Sequence, residues 1–343
     1  MTDPEFQIIG HGLAGAILAE VVARSGLRVR VWDDGGPASS DVAAGLFTPL
    51  TGMRLAPSWR IDDALPAMSN FYSSLQQELG TTLFHPLPTC RIFRSEEQAQ
   101  EWDTRTSSEF VRTVDVSDLP IKAPWGAVCI DGGGWVDLPN MLDALRQRRQ
   151  DQNAWGPPQS DAALTVWAEG ARAAENPLWK DAGWRNAHGD VLIVRVPGLA
   201  THQVYSFGKF LQPIGDDLFR CGATYTWDHT CSKPREEGRV ELERELRGLL
   251  KLPFEVIDHQ AGIRPVAVAR VPIVGPHPDD EHQWIFNGFA SKGVLYAPWL
   301  AARLVDYVRD GRALPMETWA PRRIERNRAR LATAQNQASR RSG

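Results

Sequence analysis

The chain has 343 residues, a formal net charge of −4 and 43% hydrophobic residues. That length predicts about two domains of ~150 residues each, the weak negative charge argues against nucleic acid as a partner, and no apolar run approaches the ~18 residues of a membrane span. The four cysteines, Cys90, Cys129, Cys221 and Cys231, are dispersed without a C-x-x-C pair; buried reduced thiols are expected, and with an N-terminus lacking a secretory layout the expected location is cytoplasmic.

The first element is the most informative. Ile8-Ile9 leads into Gly10-His11-Gly12-Leu13-Ala14-Gly15, which is G-x-G-x-x-G at the mouth of a helix carrying Ala16, Ile17, Leu18, Val21 and Val22, stopped by Ser25-Gly26. A second strand, Leu27 to Trp32, ends at Asp33 and Asp34. Gly10 permits a tight turn, Gly12 lets the backbone approach a pyrophosphate, and Gly15 lets the helix pack closely. Asp33, with Asp34 as the fallback, stands where an acid takes a ribose hydroxyl. A dinucleotide is predicted, FAD or NAD, on Gly10, Gly12, Leu13, Ala14 and Gly15.

Next comes the small-residue run Ser39 to Gly45, in which Ala43, Ala44 and Gly45 suit either close contact with a flat ligand or a flexible loop. A helix is predicted over Asp62–Leu79, and alternating short apolar runs from Thr81 to Ile130 predict an inserted antiparallel sheet. Pro139 fits the first turn of a helix that starts at Asp137 or Leu138 and runs to about Arg149. Ala163 to Gly170 reads as a buried strand whose small-residue end, Gly170, faces the nucleotide. Strands follow at Val191–Val196, Gln203–Phe207 and Leu218–Tyr225, then a helix at Glu236–Leu250. The last segment holds Gly262-Ile263-Arg264, a strand over Arg270–Gly275, the run Ile285 to Val294, and a helix ending at Gly311.

Three features have plain readings. His277-Pro278-Asp279-Asp280-Glu281-His282 reads as a solvated hairpin loop, so no metal is expected. Tyr225 and Trp227 read as core or sheet packing, with a substrate-facing role as the alternative. Arg322, Arg323, Arg326, Arg328 and Arg330 read as a solvated amphipathic helix rather than a contact for RNA or an acidic partner.

Four stretches, GHGLAG with Asp33, SSDVAAG, GIRPVAVARVPIVG and NGFASKGVLYAP, resemble the D-amino-acid-oxidase-like FAD-dependent oxidoreductases, the superfamily of glycine oxidase and sarcosine oxidase. The resemblance implies an α/β chain of the glutathione-reductase type. Its Rossmann-like FAD-binding domain would comprise 1–80, 132–175 and 261–320, its inserted mixed or antiparallel-sheet substrate domain 81–131 and 176–260, and its basic tail 321–343. FAD would lie with its pyrophosphate over the first glycine loop and its isoalloxazine between the domains. Ala43, Ala44 and Gly45 would flank the ring, and Gly288, Ser291, Lys292, Gly293 and Val294 would bring backbone amides to its pyrimidine side. With no cysteine after Cys231, noncovalent FAD is expected.

Arg264 falls where related amino acid oxidases place a substrate-carboxylate clamp; a structural salt bridge is its alternative. Lys292 either assists oxygen's reaction with the reduced ring or points to solvent, the reading preferred. The implied activity is oxidation of the C–N bond of an amino acid or small amine by hydride transfer to flavin N5, the imine being hydrolysed and the flavin reoxidised by oxygen or another electron acceptor. The alternatives are an oxidase acting on a modified tRNA wobble uridine and a non-catalytic FAD-binding protein.

Overall fold

The structure, a computed structural model, describes residues 5–52, 54–103, 109–159, 164–227 and 231–341. Its first layer is a five-stranded sheet in the order Ile273–His277, Asp280–Asn287, Leu164–Trp167, Phe6–Ile9, Val29–Trp32. The last four strands are mutually parallel, and Ile273–His277 runs antiparallel to its neighbour. Ile285 and Phe286 are consecutive on one strand and so project from opposite faces. They bury in two different apolar clusters, which means that both faces of this sheet are covered. This explains the unbroken apolar runs in the sequence, since a parallel strand buried on both sides has no polar face.

The larger cluster draws in the helices Leu13–Arg24, Ile61–Leu79, Leu138–Asp151 and Gly293–Asp310. Burying one of their Leu, Ile or Val side chains contributes about 1.5–3 kcal/mol before the entropy cost of ordering it. Asp137 caps the third of these helices by accepting the Asn140 amide at 3.3 Å, with Pro139 in the first turn. Gly311 ends the fourth in the left-handed conformation.

The second layer is a nine-stranded mixed sheet. Its spine is the antiparallel pairing of Ala187–Arg195 with Glu255–Arg264 along their length. On the other side of Ala187–Arg195 lie Leu218–Gly222 and then the short strand Thr226–Trp227. Beyond come Phe210–Gly215, Val204–Ser206, Thr89–Ile92, Ala127–Ile130 and Val111–Thr113. One face is closed by the helix Glu236–Leu249, whose Leu242, Leu246 and Leu249 pack with Leu192, Val194, Leu211 and Phe219. The other face carries Arg220, whose Nη1 donates to the Ala43 carbonyl at 3.0 Å and so ties this sheet to the small-residue loop of the nucleotide half.

The structure revises several expectations. Phe84–Pro86 does not join the inserted sheet; it pairs with Gly134–Val136, which also pairs with Leu46–Phe47, in a separate three-stranded sheet. Thr89–Ile92 runs parallel to Val204–Ser206, so the inserted sheet is mixed. The strand expected to reach Tyr225 stops at Gly222, and Ala187–Arg195 starts before Val191. Phe210–Gly215 and Glu255–Arg264 were not foreseen, and the latter runs unbroken across residues 260 and 261. Ala163 lies outside the described residues. Cys90, Cys129 and Cys221 are buried, but Cys231 is exposed. The basic tail forms the helix Ala320–Arg341 and is docked over its first turns: Ala320 and Ile324 are fully buried, Arg323 Nη1 donates to the Val271 carbonyl, and Arg328 pairs with Asp279 and Asp181. No described helix is long and apolar enough to cross a membrane.

Candidate active site

A cleft of about 530 Å³ opens where the parallel sheet, the small-residue loop and the large sheet meet. Its first end is the glycine turn. Gly10 has φ +103, and a Cβ there would sit 2.5 Å from the Ala168 carbonyl oxygen, so only glycine lets the first strand turn this tightly beside its neighbour. The helix Leu13–Arg24 starts at Gly12 with no side-chain cap and no acidic residue in its first turn, and Gly12, Leu13 and Ala14 line the cleft. Its amide dipoles therefore face space that suits a phosphate. Ser40 fixes the entry by accepting the Leu13 amide at 2.9 Å.

Asp33 lines the cleft and is locally ordered, its Oδ2 accepting the His11 amide at 2.6 Å and its Oδ1 the Gly35 amide at 2.8 Å. Asp34 does not line it. That carboxylate pairs with Arg172 at 2.5 Å, and this hydrogen bond holds its pKa below the usual carboxylate range. Gly15 also lies outside the cleft: the position of its missing Cβ is taken by the Gly10 carbonyl, so its role is close helix packing. Gly170 lines the cleft beside Glu169 and Arg172.

Ala43, Ala44 and Gly45 form the middle of the wall. Gly45 has φ +65 and presses against the Val136 carbonyl, while the Val136 amide donates to the Gly45 carbonyl at 3.0 Å. Of the two readings open from composition, close contact or a flexible loop, the structure shows a pinned segment held from both sides, by Val136 and by Arg220. Ser40 and Arg220 were missed in the sequence. Nothing local marks either, since Ser40 meets Leu13 across 27 positions and Arg220 meets Ala43 across 177.

Two cations also line the cleft. Arg264 Nη1 donates to the Thr224 carbonyl at 3.3 Å and lies 3.5 Å from that of His188; the guanidinium sits over Gly189 and 5.0 Å from the Tyr225 ring centroid. It makes no ion pair with a described carboxylate, so the salt-bridge alternative is not what the structure contains. Burial lowers its pKa, yet an arginine stays charged. Lys292 stands just before the helix Gly293–Asp310 without capping it and, contrary to the preferred expectation, turns inward: Nζ donates to Ser58 Oγ at 2.7 Å. Burial pulls its pKa down to about 8. Ser291, Gly293 and Val294 line the same wall, and Gly288, at φ +78 against Ala267, does not.

Gly293 is pressed against the Leu13 side chain, so the N-termini of two helices converge on one cleft. Two positive dipole ends, a glycine turn, an acid at the end of the second strand and a wall of small residues fit a long dinucleotide with an anionic middle. FAD is such a group: Gly10, Gly12, Leu13, Ala14 and Asp33 would hold its nucleotide part, and the 43–45 and 291–294 segments its ring.

Pro278 and Asp279 turn between the antiparallel strands Ile273–His277 and Asp280–Asn287, the hairpin expected, but His277 is buried against Trp179 rather than solvated. Among the described residues no group of three His, Cys, Asp or Glu side chains is arranged to hold a metal.

Residues 6–307 match the family model described as DAO, FAD dependent oxidoreductase. The chain belongs to that family of FAD-dependent oxidoreductases. It is 23% identical to glycine oxidase of Pseudomonas aeruginosa over 89% of this chain and 94% of that one. It is 24% identical to the tRNA 5-methylaminomethyl-2-thiouridine biosynthesis bifunctional protein of Hahella chejuensis over 94% of this chain, and spans only 59% of that protein's length. In fold it is similar to the crystal structure of glycine oxidase from Geobacillus kaustophilus, with a TM-score of 0.73 at 18% identity, covering 92% of this chain and 96% of the other.

Proposed function

We propose that the protein oxidises the C–N bond of a small-molecule amino acid or amine whose carboxylate is held by Arg264. The observation that carries this reading is a cleft-lining guanidinium that donates only to backbone carbonyls and has no described carboxylate partner. A planar guanidinium takes a carboxylate through two parallel hydrogen bonds, which fixes the α-carbon relative to the small-residue wall. FAD, when bound, supplies the two-electron acceptor for the bond being oxidised. Lys292 keeps a proton in the cleft below pH about 8 and places its charge beside Ser58, where negative charge developing on a bound group, including oxygen as acceptor, is stabilised. Because the family is one of oxidoreductases, the non-catalytic alternative falls away.

The test is anaerobic reduction of the FAD-loaded protein by a panel of amino acids and amines, followed by steady-state kinetics of Arg264→Ala. The expected result is a KM for carboxylate substrates raised at least about tenfold. An unchanged KM with a carboxylate substrate removes the clamp. Likeness to the bifunctional tRNA protein supports a second reading, an amine carried on a modified uridine; retention on immobilised tRNA at moderate salt separates the two.

A further inference from the structure

Behind the guanidinium of Arg264 sits a carboxylate that the reading above does not use. Asp190 is 1% exposed. It follows Gly189 on the strand Ala187–Arg195, and consecutive strand residues project from opposite faces. Gly189 faces the cleft, where a Cβ would collide with both Nη atoms of Arg264. Asp190 faces the start of the helix Glu236–Leu249, where a Cβ on Gly238 would collide with its carboxylate.

Both oxygens of Asp190 are committed. Oδ1 accepts the Arg235 amide at 2.9 Å and lies 3.1 Å from Nε2 of His259, a residue of the same strand as Arg264. Oδ2 accepts the Thr224 hydroxyl at 2.8 Å. Thr224 Oγ1 accepts the Asp190 amide at 2.8 Å in return, and the Thr224 amide donates to the Asp190 carbonyl at 3.2 Å. Thr224 stands in a bulge: Gly222 pairs with Val191 and Thr226 with His188, so four steps on one side span three on the other. Its carbonyl leaves the ladder and accepts Arg264 Nη1 at 3.3 Å. Tyr225 and Trp227, farther along this segment, are absent from the cleft lining and belong to none of the three apolar clusters. Arg264 and Arg185 lie over their rings at 5.0 and 4.4 Å, so of core and sheet packing the structure shows the second.

We propose that Asp190 is a positioning residue for Arg264 that acts through Thr224: the carboxylate fixes the bulge, and the carbonyl in the bulge fixes the guanidinium. This rests on the carboxylate-clamp reading of Arg264. Holding the helix start needs only the bond to the Arg235 amide; the closed ring of bonds with Thr224 is what the clamp requires. The placement has a physical reason. A carboxylate touching the guanidinium would occupy the fork that a substrate carboxylate needs, whereas at one remove it orders the acceptor and leaves the fork open. Burial lowers the pKa of Arg264, and Tyr225 and Asp190 work against that shift.

The experiment is titration of the FAD-loaded full-length protein with acetate, read from the flavin absorption spectrum, in the parent, Arg264→Ala, Asp190→Asn, Thr224→Val and Thr224→Ser. The expected result is an acetate Kd raised about tenfold in Asp190→Asn and Thr224→Val, the worth of one net hydrogen bond, and within about twofold of the parent in Thr224→Ser, which keeps the hydroxyl. The two Thr224 variants give the answer without Asp190→Asn, whose buried amide costs stability. Thr224→Val with a lowered Tm but the parent's acetate affinity overturns the proposal and leaves Asp190 a support for the helix. Thr224→Ser as weak as Thr224→Val, or a folded Asp190→Asn with the parent's affinity, overturns it too. Failure of the clamp itself is read separately: an acetate affinity unchanged in Arg264→Ala, or no acetate binding in the parent, removes the clamp, and the positioning role falls with it.

Discussion

Lys292 and Ser58, 234 positions apart in the chain, meet in a hydrogen bond of 2.7 Å from Nζ to Oγ. Ser58 in turn donates to the Thr48 carbonyl at 3.3 Å, so the lysine is held against the wall of the cleft and away from bulk water. An ammonium in that place costs stability and acquires a function only if negative charge arrives beside it.

Replacing this lysine should therefore move stability and activity in opposite directions. Burial lowers its folded pKa to about 8 from the ordinary lysine value of 10.5, so between these pH values the unfolded chain binds more protons and the FAD-free protein gains stability as pH rises. Lys292→Met removes the buried charge and is expected to raise the Tm at pH 7 while slowing reoxidation of the reduced flavin by oxygen. A lowered Tm with unchanged reoxidation would leave Lys292 a plain structural residue.

Asp33 couples the second strand to the glycine turn through the His11 amide. Asp33→Asn keeps the shape but loses the charge that strengthens both that hydrogen bond and any bond from a ribose hydroxyl, so FAD affinity should drop by roughly tenfold. Fluorescence titration of the FAD-free protein measures this directly, and the equivalent Asp34→Asn, which alters the pair with Arg172 and the bond from the Gly36 amide at an acid outside the cleft lining, serves as the contrast.

Noncovalent attachment is checked by acid precipitation of the loaded protein. Flavin in the supernatant is the expected outcome, because the cleft contains no cysteine: Cys90, Cys129, Cys221 and Cys231 are all absent from its lining. Yellow colour retained by the pellet would contradict it.

His11 is 3% exposed, neither ring nitrogen has a hydrogen-bond partner, and burial with the nearby Arg146 charge lowers its pKa to about 4. The ring is therefore neutral when folded and takes up a proton more readily when unfolded. Stability is expected to be unaffected by this group above pH 6.5 and to fall between pH 6.5 and 4, by up to about 3 kcal/mol. His11→Asn should flatten that part of a Tm-against-pH curve; a slope identical to the parent's would assign acid sensitivity to other groups.

Glu20 lies 1% exposed between Arg149, Arg148 and Arg24, at 2.8, 2.6 and 2.9 Å. Arg149 is itself 3% exposed, so Glu20→Gln would leave a buried guanidinium without its counter-charge. A loss of about 3–5 kcal/mol in urea unfolding is expected, and a loss below about 1 kcal/mol would show that Arg148 and Arg149 find other partners.

The first strand, glycine turn, helix and second strand of the nucleotide half are legible from local residues alone. G-x-G-x-x-G, the apolar helix after it and Asp33 at the end of the second strand are close in the chain, and the turn at Gly10, the helix N-terminus and the acid need only local geometry to come together. The same holds for the Asp137 cap and for Gly311, where a single residue's chemistry dictates the element's end.

The surroundings of the cleft's cations and of the rings beside them come from long-range packing. Whether Lys292 faces Ser58 or solvent, whether Arg264 meets a carboxylate or only carbonyls, and whether Tyr225 and Trp227 are core or open depend on which strand lies beside which. Those neighbours come from positions tens to hundreds of residues away: Trp227 reaches Arg264 through Ala187, and Arg220 reaches Ala43 across the two halves. Strand alternation tells that a residue has a face but not what that face meets. Register and sheet order settle that, and they are fixed by burial summed over the whole chain rather than by any local signal.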